Sequence, residues 1–182
     1  HKEGLAIPAQ VNYVGKGANL YELGYQYDGS SEVVLGYLQM AYLWEKVRVL
    51  GGAYGAFAQF DDRSGVFTYL SYRDPNIAST IENYDKAADF LKSLNDSNLS
   101  NTELTKAIIA AIGSLDAYQL PDAKGYTSMM RYLTGRTDET RQKIRDEVLS
   151  TNGEDFIAFG EILEKVAKSN AVAVLGSQSA IE

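Results

Sequence analysis

Val47-Arg48-Val49-Leu50-Gly51-Gly52-Ala53-Tyr54-Gly55 is the stretch where residue types and spacing could build a site. Arg48 and Tyr54 both end in hydrogen-bond donors. They stand six residues apart, with the Gly51-Gly52 pair between them. Two glycines permit a sharp turn and a close backbone approach that side chains would block. Such a turn would bring both polar tips into one space, and the two tips are expected to line one concave surface. The same pattern also suits an ordinary helix-to-strand turn, with Arg48 a helix C-terminal charge and Tyr54 a core aromatic. The spacing alone leaves both readings open. Asp61-Asp62 resembles a carboxylate pair. It is read as a solvated hairpin tip, because it sits between two strand patterns.

Other chemistries are narrowed by composition. The chain has 182 residues, no cysteine and one histidine, His1. Disulfides and thiolate metal sites are excluded, and neither a histidine-rich zinc site nor a Ser-His-Asp triad can be assembled. His1-Lys2 is read as a cleavage or cloning remnant. The net charge of −7 argues against a nucleic-acid partner; it suits cationic partners, but plain solubility alone accounts for it more simply. No apolar run reaches membrane-span length, so no membrane partner is expected, and no secretory leader is read at the start. Asn-x-Ser matches at Asn95 and Asn98 are set aside for want of any sign of secretion.

The elements that must position Arg48 and Tyr54 follow from periodicity. Residues 5–14 are expected to form a first strand, with Pro8 marking an edge or a bulge, and residues 15–19 a loop. Asp28 to Ser31 would cap a helix over 32–47 that is apolar nearly all round, hence packed on a sheet and covered outside as well. Trp44 is read as its core anchor. A hairpin over 54–61 and 66–73 places Phe67, Tyr69 and Ser71 on one face and Val66, Thr68, Leu70 and Tyr72 on the other. Asp74 and Pro75 would open a helix over 76–94. Capping boxes are read at Ser100 to Glu103 and Thr151 to Glu154. Helices follow through Leu104 to Leu115, over 121–133 and 137–150, and through Phe156 to Val166, and 171–175 reads as a strand buried on both faces. The fold expected is a single α+β domain over 1–182, with one mostly antiparallel sheet covered by helices.

Several motifs in this order carry a resemblance. They are Ile7-Pro8-Ala9-Gln10-Val11-Asn12-Tyr13-Val14-Gly15-Lys16, Leu43-Trp44-Glu45-Lys46-Val47-Arg48 with Gly51-Gly52-Ala53-Tyr54-Gly55, Ser71-Tyr72-Arg73-Asp74-Pro75-Asn76, and Tyr118-Gln119-Leu120-Pro121-Asp122-Ala123-Lys124-Gly125-Tyr126. Together they are similar to the last domain of the organellar, presequence-degrading branch of the pitrilysin and insulin-degrading family of zinc metallopeptidases. The resemblance covers about residues 4–175. It implies the fourth domain of a two-half chamber enzyme whose zinc sits in the first domain, on an H-x-x-E-H motif that this chain lacks. Zinc would therefore serve the complete enzyme and not this fragment, which is expected to be inactive alone. Metal analysis should find no stoichiometric zinc on it; one tightly bound zinc per chain would refute this.

The resemblance further implies that Arg48 and Tyr54 reach the active site from the opposite half. There a tyrosine hydroxyl stabilises the oxyanion and an arginine holds a substrate carbonyl or orients the tyrosine, with Gly51 and Gly52 in the substrate-binding loop. The implied substrates are unstructured peptides such as cleaved targeting presequences, and the implied partner is the zinc-bearing N-terminal half. The implied location is the mitochondrial matrix or chloroplast stroma in a eukaryote, or the cytoplasm in a bacterium. A non-catalytic scaffold of the same fold and a module that adds a peptide strand to a sheet edge are the alternatives.

Overall fold

The structure, a computed structural model, describes residues 2–95, 98–169 and 171–182. His1 and Ser97 lie outside them, and with these the expected remnant's first residue and the end of the first Asn-x-Ser match.

Among the described residues five strands form one sheet: β1 (Lys2–Ala6), β2 (Asn12–Asn19), β3 (Gly55–Phe60), β4 (Val66–Asp74) and β5 (Val172–Gly176). Their spatial order is β1-β5-β2-β4-β3. Only β1 and β5 run parallel; the other neighbours are antiparallel. The helices are α1 (Ser30–Leu38), α2 (Ala78–Lys92), α3 (Asn101–Leu115), α4 (Pro121–Leu133), α5 (Asp138–Ser150), α6 (Gly153–Lys168) and the short α7 (Gln178–Ile181). This is the α+β class expected. The last strand does return to the sheet, between β1 and β2.

Several local expectations fail for identifiable reasons. The single first strand is two, broken around Pro8, whose missing N–H cannot serve a ladder. The expected loop over 15–19 is instead the heart of β2. Gly17 belongs there because a Cβ would run into the Phe67 carbonyl of β4. Lys16 is 3% exposed and pairs with Asp85 of α2, while its ammonium also donates to the Ala167 carbonyl of α6 at 2.9 Å. The sheet is also one-sided. Phe67, Tyr69 and Ser71 are buried under helices, whereas Val66, Leu70 and Tyr72 face open space. In β5 only Val172, Val174 and Gly176 are buried, so 171–175 is covered on one face, not two.

The long apolar helix is also different. After α1 the chain continues as a π-helix over Gln39–Val49, closed by Leu50 N–H donating to the Glu45 carbonyl at 2.9 Å. Its i→i+5 bonding widens each turn. Tyr42, Leu43 and Val47 go into the core, and Met40, Trp44 and Val49 stay outside. Trp44, expected as a core anchor, is 44% exposed. Tyr42 is the aromatic that anchors this segment: its hydroxyl donates to the Asn83 carbonyl of α2 at 2.9 Å, and burial pushes its phenol up to about 12.

The capping details shift too. No side-chain cap forms at Ser100; Glu103 instead accepts from the Tyr37 hydroxyl at 3.4 Å. The second box forms one residue later than expected, between Asn152 and Asp155. Between α2 and α6, which make the main helix layer, Glu164 holds Lys92 and Lys168, each at 2.9 Å. Those two ammonium groups bring the Glu164 carboxyl down to about 2. A lowered carboxyl stabilises the fold above its ordinary value of 4.5 and stops doing so as pH falls toward 2. Glu164→Gln should therefore lower Tm slightly at neutral pH, with the gap to wild type closing between about pH 4.5 and 2. Calorimetry over that range checks this; a gap that persists at pH 2 would mean that the carboxylate plays no such part.

Candidate functional site

The turn that follows the π-helix is built by its glycines. A Cβ on Gly51 would sit 2.5 Å from the Val47 carbonyl, and Gly52 holds φ at +82°, a conformation side chains resist. Gly52 N–H donates to the Arg48 carbonyl (3.0 Å) and Ala53 N–H to the Val47 carbonyl (3.1 Å), which satisfies the helix end. β3 starts directly after, at Gly55.

This turn places Arg48 and Tyr54 side by side. Arg48 Nε donates to the Tyr54 backbone carbonyl at 3.0 Å, and its guanidinium lies 3.8 Å from the centre of the Trp44 ring. One guanidinium nitrogen is therefore engaged by the Tyr54 backbone. The Tyr54 side chain is 68% exposed. Its ring leans edge-on against Tyr72 at 5.7 Å, and Tyr72 against Tyr13 at 5.5 Å. In this domain alone the Tyr54 ring stands on an open shoulder, with Arg48 half-buried behind it.

Residues that sequence reasoning did not place in the site hold this arrangement. The β2–β4 register slips between Asn12 and Val14, so β4 carries an extra residue opposite Tyr13. Within that bulge Arg73 adopts φ +49°, rare for a residue with a side chain. Its guanidinium lies 5.4 Å from the centre of the Tyr72 ring and 6.0 Å from that of Tyr54. Asp74, fully buried, was expected to cap a helix starting beside it. The helix starts later, at Ala78, and Pro75 precedes it. The Asp74 carboxylate accepts from Asn76 N–H (2.8 Å) and the Thr80 hydroxyl (2.7 Å), while Asn76 Nδ2 reaches the Gly51 carbonyl at 2.6 Å. One buried acid thereby ties the glycine turn to α2. The only local signals were the four-residue spacing of Trp44 and Arg48 and the Arg-Asp-Pro-Asn run.

Elsewhere, Asp61 and Asp62 do not act as a pair. Asp61 accepts from Ser64 Oγ at 2.6 Å to close the hairpin turn, and Asp62 pairs with Arg136. Among the described residues no three His, Cys, Asp or Glu side chains converge in a way that could hold a metal ion. A groove of about 1030 Å³ lies at the far end of β3, between the first turn of the π-helix and α3, and neither Arg48 nor Tyr54 lines it.

Residues 2–178 match the PreP C-terminal domain family. Presequence protease 1, chloroplastic/mitochondrial, of Arabidopsis thaliana is 51% identical over 177 residues, covering 97% of this chain and 16% of that protein. Protein HypA of Clostridium perfringens is 38% identical over 180 residues, covering 99% of this chain and 18% of that one. This chain therefore spans less than a fifth of the length of either relative. The crystal structure of pitrilysin superposes with a TM-score of 0.63 at 14% identity, over 96% of this chain and 19% of that one, which is likeness of fold.

Proposed function

The chain belongs to the PreP C-terminal domain family, and from that premise we propose that it is the last domain of a zinc metallopeptidase that degrades short unstructured peptides such as cleaved presequences. The observation that carries the reading is the Arg48–Tyr54 pair, held together across a glycine turn with the tyrosine exposed toward solvent. In this reading the open shoulder becomes part of a chamber wall when the other half of the enzyme closes over it. The zinc belongs to that other half, and the work of this chain is done by its donors.

Hydrolysis of a peptide bond puts negative charge on the carbonyl oxygen as the bond is attacked. A hydroxyl already placed at that oxygen stabilises the charge without reorganising, and losing one such donor costs roughly 10²–10³ in rate. Tyr54 is that donor. Arg48 fixes the Tyr54 backbone through Nε and offers its remaining N–H groups to a substrate carbonyl. Arg48→Ala in the full-length enzyme should lower kcat by at least about tenfold and raise KM. Arg48→Lys should not restore kcat, because an ammonium cannot both reach the Tyr54 carbonyl and lie flat on Trp44. Steady-state kinetics on a presequence peptide check both variants; full kcat in Arg48→Lys would remove the positioning role. Sequence likeness to a chloroplastic/mitochondrial protein favours an organelle as the place of action.

The test of the function itself is reconstitution. The enzyme truncated just before this domain should be inactive, and adding this chain should restore cleavage of a presequence peptide. No restored cleavage from a folded mixture would favour a scaffold role for the domain.

A further inference from the structure

The groove at the far end of β3 has the construction of a second peptide site. One wall is a free sheet edge, since β3 closes the strand order and has β4 on one side only. Asp61 N–H donates back to the Val66 carbonyl of β4 at 3.0 Å. Hydrogen bonds alternate along an antiparallel pair, so the N–H and C=O groups of Ala58 and Phe60 point off the sheet. An unpaired edge of this kind takes up an extended chain by backbone hydrogen bonding. The opposite wall is α3, which presents Ala107, Ala110 and Ala111, and the floor is apolar Leu35 and Met40. Small residues on α3 leave room for an incoming strand and its side chains.

The charges at the rim choose the occupant. Glu32, Asp61 and Glu103 line the groove against a single cation, Lys106. None of these three carboxylates makes an ion pair among the described residues. An apolar floor below a rim of three carboxylates and one ammonium fits a peptide that alternates apolar and basic side chains.

We propose that this groove binds an extended, basic, amphipathic peptide segment as an added strand on β3, distinct from the Arg48–Tyr54 site. The two lie on one line. The π-helix and β3 run antiparallel, so Met40 sits beside the groove while Trp44 and Arg48 follow toward Tyr54 at four-residue steps. Tyr54 to Asp61 is seven residues, about 23 Å of strand. One peptide of about ten residues could therefore lie in the groove and reach Tyr54 along the same edge. The choice of occupant rests on the peptidase reading, but the binding itself does not involve the metal or turnover.

The test is binding of a fluorescein-labelled peptide of about fifteen residues, alternating leucine and arginine, to this chain. Fluorescence anisotropy should show saturable binding that weakens as salt rises. An equally long peptide with glutamate in place of arginine should bind at least tenfold more weakly. Ala110→Trp fills the groove from α3, and Glu103→Lys reverses the rim; each should weaken the basic peptide at least fivefold, with circular dichroism unchanged. Ala58→Pro, whose lost N–H points off the sheet, should do the same if it folds. No binding by the wild-type chain, equal binding of the acidic peptide, or unchanged affinity in both Ala110→Trp and Glu103→Lys would each overturn the proposal. Failure here leaves the kinetics of Tyr54 variants untouched, and failure there leaves this binding untouched.

Discussion

Tyr54→Phe in the full-length enzyme is expected to lower kcat by at least about tenfold, with KM and Tm nearly unchanged. The substitution removes one oxygen and keeps the ring. The ring's contact is the edge-on one with Tyr72, which phenylalanine retains. The side chain is mostly exposed, so its removal opens no cavity and leaves no buried group unpaired. Any large effect on rate must therefore come from the hydroxyl, which is the donor assigned to the developing charge. A donor used only in the transition state lowers kcat and kcat/KM together, which separates it from one that merely holds substrate. Full kcat at unchanged Tm would show that Tyr54 only packs.

Asp74→Ala should be the most damaging single change to the framework of the site, at about 3 kcal/mol of stability. The carboxylate is fully buried and accepts two hydrogen bonds, from Asn76 N–H and Thr80 Oγ1. Hydrogen bonds to a charged group contribute roughly 1.5–3 kcal/mol each, and alanine takes the acceptor from both donors, of which the Thr80 hydroxyl is buried. For a chain of this length that corresponds to a fall in Tm of about 6–12 °C. Because Asn76 also holds the Gly51 carbonyl, the Arg48–Tyr54 turn should loosen, and turnover should fall even at temperatures where the protein is folded. Calorimetry and kinetics on the same preparation check the two effects. A Tm within 2 °C of wild type, with roughly full activity, would show that the network is dispensable.

The local features of this fold were legible from residue order because their causes are local. The hairpin over 54–73, its two faces, the helices over 102–115 and 121–133, and the terminal strand all follow from apolar periodicity and turn residues within a few positions. The Gly51-Gly52 turn belongs with them, since its reason is a close approach within its own segment. The resemblance singled out Arg48 and Tyr54, and nothing in the spacing alone could have preferred a site over a helix end.

What residue order left undetermined depends on partners far along the chain. Gly15 and Gly17 look like a loop until β4 and β5 close on either side of them, and Lys16 looks like a surface cation until Asp85 and Ala167 enclose it. Trp44 looks like core because its own helix is apolar; only the π turn, and the sheet occupying the other side, push it out beneath Arg48. The same packing decides that the sheet is covered on one face and bare on the other, a difference its near-continuous apolar strands do not encode. Arg73 in its bulge, Asp74 beneath the turn and the groove beside β3 exist only once β2, β4, α2 and α3 are assembled. Burial is a property of the neighbours a residue acquires, and most of those neighbours lie tens of residues away.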